Sequence, residues 1–276
     1  MPSATIDTRS AEPRIRFSGV FRSEWIKART VRPPVWIAGL TIVGAALYAA
    51  TVPLITTVTS TTGEDPRAVI FENLGERPML QALGYAYVTV QALVAVLGVL
   101  LVSGERASGL ANVTLAAVPR RTPVILAKLS LSAVLGFGIG LTIAAAALLI
   151  AQPALAGIGM GDSLWTVSGL QVVLGGAVSL GLLSVIATAI ASLFSNTAAA
   201  VGSVLALLLV APGILGMLPV IGGTLQQAMP SSAAMLLFQP ADAVGWSTVL
   251  TGLLIMAGWA AVSTAVAATS WKKRDV

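Results

Sequence analysis

Apolar residues occupy this chain in six long blocks parted by short polar stretches, so block length carries more information than periodicity. A bilayer core of about 30 Å requires roughly 20 helical residues, each rising about 1.5 Å. The blocks that meet this length are residues 35–55, 81–103, 125–151, 166–193, 197–218 and 248–270. Alanine, leucine, valine and glycine dominate them, and no strict alternation marks barrel strands, so the spanning structure is helical. The expected fold class is an all-α integral membrane protein with six transmembrane helices. Its expected divisions are an N-terminal tail with an amphipathic helix at 1–34, a six-helix membrane domain at 35–270 and a basic tail at 271–276.

The polar interruptions are themselves patterned. In RIRFSGVFRSEWIKARTVRPP, residues 14–34, Phe17, Val20, Phe21, Trp25 and Ala28 share one helical face, with Arg22, Ser23, Lys27 and Arg29 around the rest. Such a segment is expected to lie at the membrane surface, its aromatics at headgroup depth, until Pro33 and Pro34 interrupt it. In SGERASGLANVTLAAVPRR, residues 103–121, Ser108 suits an N-cap, and Leu110, Val113, Thr114 and Ala117 recur at helical spacing before Pro119 ends the run. A helix this short is unstable alone in water and needs a surface to lie against.

Composition agrees with a bilayer environment: 56% of residues are hydrophobic and 10% charged, against about 25% charged in soluble domains. Histidine and cysteine are both absent. That excludes disulfides, thiol nucleophiles, imidazole bases and nearly all zinc or haem ligation. The net charge of +5 is divided among termini and loops instead of forming a stripe, which argues against nucleic acid as a partner. Fourteen of the sixteen basic residues precede residue 35, lie at 104–128 or fall in the tail. By the positive-inside rule these segments, and with them both termini, are expected in the cytoplasm. The first 34 residues are too long and polar for an ordinary signal peptide, so the first block is expected to remain as a span.

Between Leu129 and Trp271 the only charged residues are Asp162 and Asp242, both in loops expected outside. An interior without charge lacks the usual apparatus of proton relay or intramembrane proteolysis. No GxxxxGK[ST] occurs, so nucleotide energy would have to come from a partner. Gln91, Thr142 and Gln171 enter the spans and are expected to bond across helices. GFGIG at 136–140, followed by Ala144, offers close backbone approach, within the chain or between chains.

The order EWIKARTVR, an apolar span, GERASGLANVTLAAVPRRTPVILAK, SLFSNTAAAVG and MPSSAAMLLF resembles the membrane subunits of ABC-2 type exporters, permeases that work with a separate ATPase. The resemblance covers residues 15–275. It implies that the loop between spans two and three holds a coupling helix that docks on the nucleotide-binding subunit. The coupling segment would comprise Glu105, Gly109, Leu110, Val113, Leu115, Pro119, Arg120, Arg121 and Lys128, with Glu105 and Lys128 expected to form an ion pair bracing it. A connecting helix carrying Phe21, Glu24, Trp25, Lys27 and Arg29 would hold the joint. The resemblance further implies a re-entrant extracellular segment before span six, where Pro219, Gly222, Gly223, Pro230 and Pro240 interrupt residues 219–247 and Ser231 could cap the run 232–238.

No cofactor is expected in this chain; ATP and Mg would bind the partner ATPase. The other expected partners are a second copy or a related permease and the lipid bilayer, in a bacterial-type plasma (inner) membrane. The competing reading is a non-transporting membrane protein of the same fold, such as a self-protection or sensory anchor. A secondary transporter is a further alternative.

Overall fold

The computed structural model describes residues 17–30, 32–107, 121–161 and 163–273, and among these every regular element is helical. Helix α1 is Phe17–Thr30. Span one combines α2 (Arg32–Ala49) with α3 (Thr51–Thr62), which follow one another through Ala50. Pro53, lacking an N–H, cannot serve the Ala49 carbonyl, and the helix is interrupted there.

A loop was expected from residue 56, yet the helix continues to Thr62. Thr57 and Ser60 donate to the carbonyls of Pro53 and Thr56 at 2.8 and 2.7 Å, and the neighbouring threonines bond likewise within the helix. These hydroxyls are satisfied by their own helix, so its polar end need not unwind. Gly63, at φ 81°, ends it. Helix α4 (Pro66–Leu74) follows, capped by the Asp65 carboxylate, which accepts from the Arg67 N–H at 2.9 Å.

Span two is α5 (Pro78–Ala107), span three α6 (Arg121–Gly157) and span four α7 (Val167–Ala191). Span five begins as α8 (Thr197–Leu205), whose first turn is capped by Asn196 accepting from the Ala198 N–H at 2.7 Å. It passes through a π-helical turn at Ala206–Val210 into α9 (Ala211–Gly216). Three short helices then follow, α10 (Gly222–Gln227), α11 (Pro230–Leu237) and α12 (Ala241–Val244), before span six, α13 (Trp246–Lys273). Among the described residues six helical stretches are thus long and apolar enough to cross a membrane. They coincide with the six apolar blocks, and spans one and three run several residues longer.

Spans two and four form the centre. Their most apolar windows are 67% and 61% buried, whereas the other four range from 17% to 33%. Glycine lets span three close on span four. A Cβ on Gly140 would stand 2.4 Å from Ala177 Cα, and one on Gly136 would stand 2.5 Å from the Leu180 carbonyl oxygen. The small-residue row of span three therefore packs within this chain, against span four. Tyr87 of span two fills the space above Gly176, and its hydroxyl lies 3.2 Å from the carbonyls of Gly140 and Val173. Thr188 donates to the Gly98 carbonyl at 3.0 Å, joining spans two and four a second time.

Of the polar residues expected to bond across helices, Gln171 does so: its Nε2 donates to the Leu237 carbonyl at 2.6 Å and its Oε1 accepts from the Ala241 N–H at 3.0 Å. Thr142 differs, because its exposed hydroxyl turns back to the Gly138 carbonyl of its own helix at 2.9 Å. Gln91 is buried with its Nε2 unpaired.

Ser231 is not a cap. Pro230 occupies the first turn of α11, Met229 precedes it, and the Ser231 hydroxyl donates instead to the Leu208 carbonyl at 2.7 Å. In α-helical spacing that carbonyl would receive the N–H of Pro212, which proline lacks. The hydroxyl reaches this π-helical turn and ties α11 to span five. Ser231→Ala is expected to cost about 1 kcal/mol, the net value of one such bond, read as a lower unfolding temperature of the purified protein.

Candidate functional site

Helix α1 turns a narrow stripe toward the bundle. Val20 and Glu24 are buried, Phe21, Lys27 and Ala28 are half-buried, and Arg22, Ser23, Ile26 and Arg29 are exposed. Val20 packs with Val124 and Ala127 from the start of span three, and Phe21 and Trp271 close over them. The aromatic stripe read from the sequence is therefore divided: Phe17 remains 48% exposed and Phe21 joins this cluster. Trp25 sits under Arg29, whose guanidinium lies 5.4 Å from its ring centroid.

Glu24 lies in the middle of that stripe. Its Oε2 accepts from Lys128 Nζ at 2.6 Å and its Oε1 from Lys27 Nζ at 2.6 Å, so each carboxylate oxygen receives one ammonium. Glu24 and Lys128 side chains are 3% and 2% exposed, and Lys27 is 26% exposed. Desolvating two isolated charges would cost several kcal/mol each. At this separation each ion offsets the other's penalty, and the pair fixes the position of α1 on span three.

Lys128 thus pairs with Glu24 of α1, a contact that sequence reading did not name. The backbone of Glu105 belongs to α5, and its side chain lies outside the described residues. So do Ser108, Gly109, Leu110, Val113, Thr114, Leu115, Ala117, Pro119 and Arg120, along with Asp162 and the first sixteen residues. Arg121 opens span three as its first residue. Of the predicted site residues, the structure brings together Phe21, Glu24, Lys27 and Lys128.

One contributor was missed by sequence reasoning. Trp271, at the end of span six, packs on Val20, Val124 and Ala127 and also on a second cluster of Ile125, Leu129, Ala189 and Ala267. It joins α1, span three, span four and span six at one end of the bundle. A tryptophan directly before two lysines at the end of an apolar block was its signal in the sequence.

Compared with known proteins, the chain matches no family model and no curated protein. Its functional reading therefore rests on its own residues. Among the described residues there is also no group of three or more acidic side chains placed to hold a metal ion. Buried and symmetrically bonded, the Glu24 carboxylate has no open side for a substrate. The arrangement fastens α1 to span three.

The opposite end of the bundle carries a looser set of polar contacts. Arg77, just before span two, pairs with Asp242 of α12, and Arg67 of α4 donates to the Ile158 carbonyl after span three. Both partners of the first pair are more than a third exposed. A pair so exposed contributes at most about 1 kcal/mol. The strong ionic fastening lies at the α1 end.

Proposed function

We propose that this chain is the membrane-spanning permease subunit of an ATP-driven ABC-2 type exporter, coupled through residues 107–118 to a separate ATPase. The observation that carries the reading is the buried Glu24–Lys128 pair, which fastens α1 to the first turns of span three directly downstream of that loop. A push on the loop enters span three at Arg121 and meets, about two turns later, the residue that holds α1. Loop, span and surface helix then move as one lever. ATP-driven alternation requires such a lever, because nucleotide binding can only bias states that differ as packed bodies.

In this reading both termini and the coupling loop face the cytoplasm of a bacterial-type inner membrane. Residues 219–247 form the re-entrant excursion on the outer side, and two membrane subunits enclose the conduit. The basic residues of the N-terminal segment, the loop and the tail support that orientation. The Arg77–Asp242 pair is compatible with it, since it joins two segments assigned to the same side.

The test is copurification. A tagged chain extracted from its native membrane is expected to bring down an ATPase bearing GxxxxGK[ST], and the double variant L110D/V113D is expected to lose at least about tenfold of it, the factor for about 1.4 kcal/mol of binding. Recovery of no ATPase by the unaltered protein would refute the exporter reading. Labelling of single cysteines at 107–118 from the external side would refute it equally.

A further inference from the structure

An open apolar groove of about 420 Å³ runs between span four, α11 and span six. Leu170, Leu174 and Val178 form one wall, Val249 and Leu253 the other, and Leu237 closes the inner side. Apart from the Trp246 indole at one end, Gln171 is the one lining residue with a polar side chain, and both its amide atoms are already engaged, with the Leu237 carbonyl and the Ala241 N–H. Along the walls between the spans a polar ligand would meet only apolar side chains. The two flanking helices are long and apolar enough to cross a membrane, so hydrocarbon is the medium that reaches this groove from the side.

One end is marked chemically. Trp246, the first residue of span six, lines the groove and is 53% exposed; Trp165, just before span four, is 87% exposed. Indoles settle where hydrocarbon gives way to headgroups. The Asp242–Arg77 pair, four residues before Trp246, adds one charge of each sign on the same side. An amphiphile with its tail between the spans and a phosphate-bearing head beside the indoles matches this order of apolar, aromatic and charged surface.

We propose that the groove is a binding site for one acyl chain of a bilayer phospholipid. The chain lies along spans four and six and covers the Gln171 hydrogen bonds that hold α11, so water does not compete for them. The site stands whether or not an ATPase binds this chain.

Leu253→Trp would fill the groove from a side chain already 36% exposed. Leu254→Trp, at the adjacent residue that does not line the groove and is 71% exposed, is the control. Native mass spectrometry of the full chain, extracted in mild detergent and washed free of loose lipid, reads the result. The unaltered protein and L254W are expected to retain one phospholipid per chain, and L253W to retain about tenfold less. Equal unfolding temperatures of the two variants in lipid-free detergent show that both fold; if L253W unfolds earlier, labelling of the unaltered protein by a phospholipid with a photoreactive tail decides, with adducts expected on groove residues. Equal lipid retention by L253W and L254W, a retained mass that is detergent only, or adducts spread evenly around the spans would each overturn the site.

Discussion

Lys128→Met is expected to destabilise the protein by about 3–5 kcal/mol, the cost of leaving a buried charge without its partner. The orphan is Glu24, which is 3% exposed and keeps only its bond to the more exposed Lys27. Glu24→Gln fails from the other side, leaving the Lys128 ammonium against a neutral amide. The double variant E24M/K128M removes both charges together and is expected to recover most of the loss, because apolar replacement of a whole buried pair is often near neutral. Thermal unfolding in one detergent, followed by tryptophan fluorescence, compares all three. Single variants that lose less than about 1 kcal/mol would place the pair in the solvent-screened class and remove its role as a fastening. If the proposed ATPase copurifies, its recovery separates stability from coupling: a double variant that folds and retains it in full would show that packing alone holds α1.

Gly175→Val is the second large effect. Even a Cβ at this position would lie 1.9 Å from the Leu237 carbonyl oxygen, a backbone atom of α11 that no rotamer change can move. The branched side chain must push α11 off span four, and it takes both Gln171 hydrogen bonds with it. Overpacking costs about 1–3 kcal/mol, and two unmade bonds to buried groups add about 1–3 kcal/mol each. Gly138→Ala is the matched control, since nothing lies within 4 Å of its Cβ position. It is expected to be neutral or stabilising by up to about 1 kcal/mol through helix propensity. Limited proteolysis reads the difference, with new cleavage at residues 228–245 in G175V alone. An uncleaved G175V of normal stability would mean that α11 is not seated on span four as described.

The spans were legible because a bilayer imposes a length, and length survives in sequence without knowledge of what packs on what. Close packing at Gly136 and Gly140 was legible too, but its partner was not, because small residues announce that a backbone can approach without naming which one. The Glu24–Lys128 pair was hidden by distance, its members being 104 positions apart. Proximity in sequence pointed to Glu105, at the other end of the same loop, whose side chain lies outside the described residues. The signal for Glu24 was environment: Glu24 is an acid inside an apolar helical stripe, and Lys128 is the lone charge inside an apolar block, so each implied an unseen opposite charge. Ser231 was misread as a cap because its place beside Pro230 looks like a helix start. The decisive contact is with the Leu208 carbonyl, twenty-three residues earlier, in the π-helical turn before another proline.

The glycine contacts among spans two, three and four have a mechanical corollary. Backbones that touch with no side chain between them have no cushion to compress and no slack along which to slide, so these three helices behave as a solid post. Any change of shape must then be relative motion between that post, which carries α1 with it, and the loosely buried outer spans, one, five and six, set around it like shutters on a frame.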